Sequence, residues 1–246
     1  EELSPAGLEV LKSVPGFEVK ELYQDDPARI RAALENAEAL VVRSKTKVTA
    51  DFLSQAPALK VIGRPGTGVD NVDVAAATAR GVVVMNTPAG NSISAAEHAM
   101  GLMLAMLRKI PQADASMKQG KWDRQKFMGS ELHDKILGVI GLGKIGTEVV
   151  RRAESFKMRV LVYDPFVSAE VARDLDVSLV PLEELLAKAD IISLHAPLTS
   201  ATRRLINAAN IALMKDGAYL VNAARGDLVD ESALLEALWS GKLAGA

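Results

Sequence analysis

Short apolar runs alternate along this chain with longer stretches in which apolar residues recur at helical spacing. Runs of Val, Ile, Leu and Ala that end at Gly, Pro or Asp are typical of buried strands in a parallel sheet. These runs predict strands at 17–23, 39–43, 59–63, 82–85, 136–140, 159–163, 190–194 and 218–222. Helical spacing predicts a helix that starts near residue 3 and further helices at 27–36, 50–55, 72–79, 91–117, 147–156, 182–189, 207–214 and 231–239.

The repeat of strand and helix predicts an α/β fold with parallel sheets. Thr87 and Pro88 follow the fourth predicted strand, and we place the change from a first domain, 1–88, to a second domain, 89–246, at this point. A unit of this kind usually begins with a strand, whereas this chain begins with a predicted helix. We therefore expect that an initial strand has been trimmed.

A glycine motif follows the strand at 136–140. Gly141, Gly143 and Gly146 have the spacing G-x-G-x-x-G, with a predicted helix after them. In a dinucleotide-binding turn, the first glycine allows the tight turn and the second allows a pyrophosphate to approach the backbone. The third lets the helix pack on the strand, and the helix N-terminus attracts the phosphates.

An acidic residue ends the next predicted strand. Asp164 lies 18 residues after Gly146, where the dinucleotide motif places an acid that binds the ribose hydroxyls. No Arg follows it to receive a 2′-phosphate, so the sequence favours NAD over NADP. The alternative is an ordinary turn between strand and helix with an incidental Asp.

Composition narrows the classes of function. The chain is 49% hydrophobic and 24% charged, as is usual for a globular protein with a sizeable core. Its net charge of −2 argues against a nucleic-acid partner. It has no cysteine, which excludes cysteine-ligated metals, and we expect no metal site. We find no signal peptide and no apolar run that could cross a bilayer, so we expect a cytoplasmic protein without membrane contact.

Chemistry-bearing residues follow the strands of the second half. Ligands of open α/β sheets bind at the carboxyl ends of the strands. Those ends carry Gly141, Asp164, His195, Ala196, Pro197, Ala223, Ala224 and Arg225. A guanidinium binds a carboxylate through two parallel hydrogen bonds, so Arg225 is the candidate catalytic residue that anchors a substrate carboxylate. The alternative for Arg225 is an ion pair with Asp227 or Asp230.

Oxidation of a hydroxyl also needs a base for its proton. His98 lies within a predicted helix and His133 lies in a linker, so we expect both to be structural. His195 lies near the strand ends, but a packing role is the preferred interpretation for it. We therefore assign no base from these residues.

A loop at 120–129 combines charged residues with Trp122 and Phe127. Exposing both aromatic rings to water would be unfavourable. We expect this arm to form a subunit contact together with the helix at 91–117, which gives a homodimer or a higher homo-oligomer. The alternative is a solvated linker.

Several segments give the chain a resemblance to a known family: 42–44, 66–71, 86–88, 91–92, 121–122, 127–129, 141–146 and 222–226. With these, the whole chain resembles the D-isomer-specific 2-hydroxyacid dehydrogenases, and most of all the branch that oxidises 3-phosphoglycerate in the first step of serine biosynthesis. The resemblance implies a flavodoxin-like substrate domain and a Rossmann nucleotide domain, each a doubly wound parallel sheet. It also implies NAD as cofactor and a dimer formed through the nucleotide domain.

The resemblance assigns roles to individual residues. It gives cofactor contacts to Thr67, Gly141, Gly143, Lys144, Ile145, Gly146, Asp164, Ala196, Pro197, Ala223, Ala224 and Arg225. Among these, Thr67 lies near the nicotinamide, whereas Lys144 and Ile145 belong to the pyrophosphate turn. The resemblance implies substrate contacts for Arg43, Ser44, Arg64 and Arg124, of which Arg124 reaches the substrate of a neighbouring subunit.

The chain also departs from this family. Its members carry a catalytic Glu and a catalytic His after the segment that ends here at Ala246. We therefore expect a piece, truncated at both ends, that binds NAD but turns substrate over poorly. Two alternatives stay open: a family member acting on glycerate, lactate or formate, and a non-enzymatic NAD-sensing scaffold similar to the C-terminal-binding corepressors.

Overall fold

The computed structural model describes residues 2–23 and 25–246, which form two compact units. The first unit ends at Asn91 and the second begins at Ser92. The boundary predicted between residues 88 and 89 lies in the same connection, after the last strand of the first unit and before the first helix of the second.

The first unit is a parallel sheet with helices. Its helices are α1 (Pro5–Ser13), α2 (Pro27–Leu34), α3 (Ala50–Ser54) and α4 (Val74–Ala79), and its strands are β1 (Ala39–Val41), β2 (Val61–Arg64) and β3 (Val83–Asn86). The strands lie in the order β1-β2-β3. Val61 pairs with Ala39 on one side and with Val83 on the other. The core of this unit includes the fully buried Val48, Leu53, Ile62 and Ala77.

Short polar residues fix where the helices of the first unit begin. Ser4 accepts a hydrogen bond from the amide of the third residue of α1, and Asp26 caps α2 just before a proline. Thr49 and Asp73 cap α3 and α4 in the same way. Such caps satisfy amides that have no partner inside the helix, so the sequence sets these starting points locally.

The second unit is a larger parallel sheet covered by helices. Its helices are α5 (Ser92–Leu107), α6 (Ile110–Lys118), α7 (Lys144–Ser155), α8 (Ala169–Asp174), α9 (Leu182–Lys188), α10 (Ala208–Leu213) and α11 (Glu231–Trp239). Its strands are β4 (Ile136–Ile140), β5 (Arg159–Tyr163), β6 (Ser178–Leu179), β7 (Ile191–Leu194), β8 (Ala218–Asn222) and β9 (Leu243–Gly245). The strands lie in the order β6-β5-β4-β7-β8-β9, and every pair is parallel.

The two faces of this sheet carry separate cores. Leu137 and Val139 of β4 pack on one face with α5 and α7, and Ile140 packs on the other with α9, α10 and α11. Alternate side chains of a strand point to opposite faces, so a central strand covered on both faces must be apolar throughout. Gly138 leaves room for α9, because a Cβ there would lie 2.5 Å from Leu185 Cδ2. Among the described residues, no helix is long and apolar enough to span a bilayer.

The mixed α/β class with parallel sheets is confirmed, as are the bounds predicted for β4, β5, β8 and α11. One predicted strand is wrong: residues 17–23 form no strand, and Phe17 and Tyr23 are 57% and 41% exposed. A strand needs a neighbouring backbone for its ladder. β1 pairs with β2 alone in the part of the chain that the structure describes, so an alternating pattern without a partner stays irregular.

The long helix predicted at 91–117 is also wrong, because two helices occupy this stretch. Lys109 separates α5 from α6 and has a left-handed backbone, with φ 51°. Pro111 lies in the first turn of α6, where its missing N–H is harmless, but it could not continue α5. The apolar spacing runs through the break, so Pro111 is the one local signal of it. The periodicity analysis also missed α8, β6 and β9.

The left-handed Lys109 gives a test of this break. A side chain at positive φ costs about 1–2 kcal/mol, and glycine avoids that cost. We expect Lys109→Gly to raise the free energy of unfolding by about 0.5–1 kcal/mol, as measured by urea denaturation. Lys109→Ala is the control, since it removes the long side chain but keeps the Cβ. An equal rise in the free energy of unfolding of Lys109→Ala would show that the lysine side chain, and not the left-handed backbone conformation, limits stability here.

Candidate functional site

The carboxyl edge of the second sheet is the candidate site. β4 and β7 are neighbours there, with β5 and β6 beyond β4 and with β8 and β9 beyond β7. The chain adds β5 and β6 on one side of β4 and then β7, β8 and β9 on the other, and ligands of open α/β sheets bind at such a switch point. The residues predicted as ligands at this edge are Gly141, Gly143, Lys144, Ile145, Gly146, Asp164, Ala196, Pro197, Ala223, Ala224 and Arg225.

The glycine turn after β4 packs directly on the end of β7. Gly141 has φ 96°, in the region that favours glycine. A Cβ at Gly141 would lie 2.7 Å from the Ala196 amide nitrogen and 2.8 Å from the His195 carbonyl carbon. No side chain fits in that space, so the contact between the two strand ends is one of backbone against backbone.

The helix after the turn leaves an open N-terminus. A Cβ at Gly146 would lie 2.1 Å from the Gly141 oxygen, so α7 packs closely on the turn. A Cβ at Gly143 would have no described atom within 4 Å, apart from its chain neighbours. Lys144 begins α7 and is exposed, whereas Ile145 packs against the core. The open space at Gly143 and the free amides of α7 suit a pyrophosphate group.

The carboxylate of Asp164 ties β5 to the glycine turn. Its Oδ2 accepts a hydrogen bond from the Leu142 amide at 2.8 Å, and its Oδ1 accepts one from the Phe166 amide at 2.9 Å. The Gly141 amide also donates to the Tyr163 carbonyl at 3.0 Å. Asp164 therefore holds the turn in shape, in addition to the ribose contact predicted for it.

The three histidines lie in different surroundings. His195 Nε2 lies 2.8 Å from the hydroxyl of the fully buried Ser193, and burial lowers the pKa of His195 to about 4. A neutral, hydrogen-bonded ring agrees with the packing role expected for His195. His133 Nδ1 lies 3.2 Å from Asp134 Oδ2, but this pair precedes β4 at the opposite edge of the sheet. His98 lies on the exposed side of α5.

Arg225 follows β8 and is half-buried. Its Nη1 donates to the carbonyl of Ala224 at 2.9 Å. The carboxylates of Asp227 and Asp230, the alternative partners for Arg225, are paired with other arginines. Arg203 Nη1 lies 2.6 Å from Asp227 Oδ2, and Arg204 Nη1 lies 3.7 Å from Asp230 Oδ2.

Sequence analysis gave no role to Asn222, the last residue of β8. Its Oδ1 accepts a hydrogen bond from the Ala224 amide at 3.1 Å, and its Nδ2 donates to the Arg225 carbonyl at 2.8 Å. An Asn directly after an apolar run is a known signal of such a turn. That signal was present in the sequence and would have found this residue.

Four further predicted site residues lie at the strand ends of the first unit. Arg43 and Ser44 follow β1 and are exposed, and Arg64 ends β2 with a buried Nε that lacks a described hydrogen-bond partner. Thr67 donates from its hydroxyl to the Asn91 side chain. These residues share the carboxyl edge of their own sheet.

Asparagine side chains hold these loops as well. Asn71 Nδ2 donates to the carbonyls of Arg43 and Thr46, at 2.6 and 2.7 Å. Asn86 Nδ2 donates to the carbonyl of Thr67 at 2.7 Å. In both units, therefore, an asparagine amide fixes the backbone next to a predicted ligand residue.

Arg124 does not follow a strand. It begins a short 3-10 helix, Arg124–Phe127, in the arm at 120–129. Trp122 and Met128, which flank this helix, are 72% and 74% exposed. Together with Arg124 they line an open cavity of about 870 Å³ on the arm.

Comparison with known families gives one match over more than half of the chain. Residues 100–246 match the family model described as D-isomer specific 2-hydroxyacid dehydrogenase, NAD binding domain. The matched range contains the glycine turn, Asp164 and Arg225. The second unit therefore has both the sequence pattern and the turn geometry of an NAD-binding domain.

Curated relatives extend the similarity to the first unit. D-3-phosphoglycerate dehydrogenase from Sus scrofa is 50% identical over 99% of this chain, and that from Archaeoglobus fulgidus is 57% identical over 85%. The chain spans 46% and 40% of the length of these two relatives. Among solved structures, D-lactate dehydrogenase from Aquifex aeolicus, complexed with NAD and lactic acid, matches with a TM-score of 0.88. It is 35% identical, and the match covers 98% of this chain and 72% of that one.

Two glycines of the turn give separable predictions. We expect Gly143→Ala to fold with an unchanged melting temperature but to bind NADH at least about tenfold more weakly, because its methyl group occupies the space that the pyrophosphate needs. We expect Gly141→Ala to lower the melting temperature instead, because its Cβ meets the end of β7 at 2.7 Å. Differential scanning fluorimetry and NADH fluorescence titration measure the two effects. Gly143→Ala with full NADH affinity would contradict the assignment of this turn.

Proposed function

Because the chain belongs to the family of D-isomer specific 2-hydroxyacid dehydrogenases, we propose that it provides the sites for NAD and for the substrate carboxylate in the oxidation of D-3-phosphoglycerate to 3-phosphohydroxypyruvate. This reaction would open serine biosynthesis. The observation that carries the proposal is the similarity to D-3-phosphoglycerate dehydrogenases, at 50% identity over 99% of the chain and 57% identity over 85% of it. Structural relatives named for lactate and formate are less similar, at 35% and 30% identity.

The residues of the second unit fit NAD. The open space over Gly143 and the N-terminus of α7, with Lys144 beside it, suit the pyrophosphate. Asp164 suits the ribose hydroxyls, and the small residues Ala196 and Ala223 leave room at the strand ends. When bound, NAD supplies an acceptor for the hydride that leaves the substrate.

Arg225 would bind the substrate carboxylate. Its guanidinium lies at a strand end and is half-buried. Partial burial strengthens an ion pair with an incoming carboxylate. A two-point bond from Arg225 would also fix the orientation of the acid's first carbon, and with it the neighbouring hydroxyl carbon.

Three side chains of the first unit are our candidates for binding the substrate phosphate. Arg43 and Ser44 lie in a loop that Asn71 holds from both ends, and the Arg64 side chain lies across Gly66 with its Nε buried. Guanidinium and hydroxyl donors suit phosphate oxygens. A preference for a phosphorylated acid would therefore come from this unit.

We propose that no side chain among the described residues acts as the base. His195 uses its Nε2 on Ser193, and its lowered pKa keeps it neutral but poorly basic. Asp164 accepts two backbone hydrogen bonds, and Asp227 is paired with Arg203. Without a base we expect binding to survive and the chemical rate to fall by roughly 10²- to 10⁴-fold.

Binding measurements on the 246-residue chain test the proposal. With NAD saturating, we expect calorimetry to give a higher affinity for 3-phosphoglycerate than for D-lactate, glycerate or formate, because only the first offers both a carboxylate and a phosphate. Arg225→Ala should abolish the affinity for all four acids, whereas Arg43→Ala should weaken only the binding of 3-phosphoglycerate. Arg29→Ala, which alters an exposed arginine of α2, is the control. Equal affinity for lactate and 3-phosphoglycerate would point to another member of the family.

The same samples test whether the chain contains a catalytic base. We expect NADH formation from 3-phosphoglycerate to be at least about 100-fold slower than in a family member that carries the Glu and His. A comparable rate would mean that a base exists within residues 1–246, and His195→Gln would then be the first variant to measure. Binding of NAD without binding of any of the acids would favour a non-enzymatic NAD-sensing scaffold.

We also propose a homodimer formed through the second unit. The arm at 120–129 exposes Trp122 and Met128, and the neighbouring α6 exposes Ile110 and Met117, which are 51% and 52% exposed. An exposed apolar surface on the arm and on α6 is typical of a subunit contact. Arg124 lies within that surface and would reach the partner subunit. A location in the cytoplasm stays a prediction.

Trp122 offers a test of the dimer. We expect light scattering to give a dimer for the unaltered chain at micromolar concentration and a monomer for Trp122→Ala, because truncation of an interface tryptophan typically costs more than about 2 kcal/mol of binding. Trp239→Ala is the matched control, since Trp239 is also a surface tryptophan, 81% exposed on α11. A monomer for the unaltered chain, or equal loss in both variants, would contradict the proposed interface.

A further inference from the structure

We infer that Asn222 is the positioning residue of Arg225: its side-chain amide sets the strand-end loop that carries the guanidinium. The inference rests on the proposed function, in which Arg225 binds the substrate carboxylate. It concerns a residue that touches no ligand and acts through its neighbour.

The backbone of Asn222 is fixed by the sheet. Asn222 ends β8 and pairs with Leu194 of β7, which is 1% exposed and lies in the core. A strand residue paired with a buried neighbouring strand has little freedom, so the Cβ of Asn222 projects from a firmly held point. The side chain is half-buried, which limits competition from water for its hydrogen bonds.

The amide of Asn222 reaches two successive residues of the loop. Its Oδ1 accepts from the Ala224 amide at 3.1 Å, and its Nδ2 donates to the Arg225 carbonyl at 2.8 Å. The Arg225 carbonyl also accepts from the Leu228 amide at 3.2 Å, which joins the loop to the next turn. Asn222 thereby ties the peptide before Ala224 and the peptide after Arg225 to the end of β8.

The guanidinium is in turn tied to the same loop. Arg225 Nη1 donates to the Ala224 carbonyl at 2.9 Å. The peptide that Asn222 holds is adjacent to the peptide that holds the guanidinium, so a shift of one moves the other. The guanidinium is therefore connected to the sheet through two sets of hydrogen bonds. Asn222 holds the loop backbone, and the loop backbone holds the Arg225 side chain.

Few side chains could replace the amide. The loop needs a side chain that carries one hydrogen-bond acceptor and one donor on a single methylene group. Aspartate has no donor, serine is too short to reach the Arg225 carbonyl, and glutamine is one methylene longer. The chemistry thus explains why an asparagine, and no other short polar residue, would serve at this position.

Positioning matters because a two-point bond to a carboxylate is sensitive to angle. Misplacement of a binding group by about 1 Å can cost on the order of 100-fold in rate or affinity. A loop freed at Ala224 and Arg225 would let the guanidinium sample many orientations, and binding would have to select one of them.

The first test needs no ligand. Nitrogen-15 relaxation of the Arg225 Nε–H group, measured in the 246-residue chain, reports how firmly the guanidinium is held. We expect Asn222→Ala to lower its order parameter markedly and Asn222→Ser to lower it less. Serine can still accept the Ala224 amide in a short turn. An order parameter that is unchanged in both variants overturns the inference.

Asn207→Ala is the matched control. The Asn207 side chain also accepts from one backbone amide, that of Asn210 at 3.1 Å, and donates to one carbonyl, that of Arg204 at 3.2 Å. It caps α10 and not a strand-end loop that carries a ligand residue. Its loss should lower the melting temperature about as much as the loss of Asn222, while the Arg225 Nε–H signal stays ordered.

The second test asks whether positioning acts through Arg225. With NAD saturating, we expect Asn222→Ala to weaken 3-phosphoglycerate binding by about tenfold or more. In an Arg225→Lys background the same change should cost less than about twofold, because the lysine ammonium needs no fixed plane. A merely structural role would give equal losses in both backgrounds and would overturn the inference.

The two tests separate the inference from the proposed function. If the unaltered chain binds NAD but none of the carboxylates, the proposed function fails, and the relaxation data alone decide whether Asn222 holds Arg225. If the chain binds 3-phosphoglycerate and Asn222→Ala behaves like Asn207→Ala, the inference fails and the proposed function stands.

Discussion

A contact between two bare peptide groups governs the site of the second unit. Gly141 turns the chain after β4 so closely against the end of β7 that a Cβ would overlap the peptide between His195 and Ala196. This approach sets the direction in which α7 leaves the sheet, and Gly146 keeps the helix pressed on the same turn. The helix N-terminus beside this packed turn stays open, because a Cβ at Gly143 would have no described atom within 4 Å, apart from its chain neighbours. Asp164 then fixes the turn from the other neighbouring strand, through its bond to the Leu142 amide.

Around this turn, short polar side chains stabilise the irregular backbone that carries the ligand residues. Asn71, Asn86 and Asn222 each donate a side-chain amide to loop carbonyls that follow strands. Loops at strand ends cannot satisfy their own polar groups through a ladder, so a side chain with both donor and acceptor takes its place. The result is a set of anchored loops on a rigid sheet, as a binding site requires.

The local signals in the sequence were enough to predict much of this arrangement. The apolar runs predicted β4, β5 and β8 at their observed bounds, because a strand buried on both faces must be apolar at every position. The glycine spacing predicted the turn, since positive φ and close backbone approach both demand glycine. Asp164 and Arg225 were predicted to lie at one edge of the sheet from strand order alone, and they do. Their contacts with ligands stay predictions.

Features that depend on a distant partner were decided by the tertiary structure. Residues 17–23 have the pattern of a strand, but among the described residues no neighbouring backbone pairs with them. The helix at 91–117 has unbroken apolar spacing, but Lys109 turns left-handed so that α5 and α6 can each take their own direction. The bond from Asn222 to the Arg225 loop and the burial of His195 against Ser193 likewise exist only once the strands are assembled. The sequence by itself determined which segments are apolar and where the backbone can turn, because those properties belong to single residues. Hydrogen bonds and burial depend on pairs of residues that meet in the folded chain, so only the tertiary structure decided them.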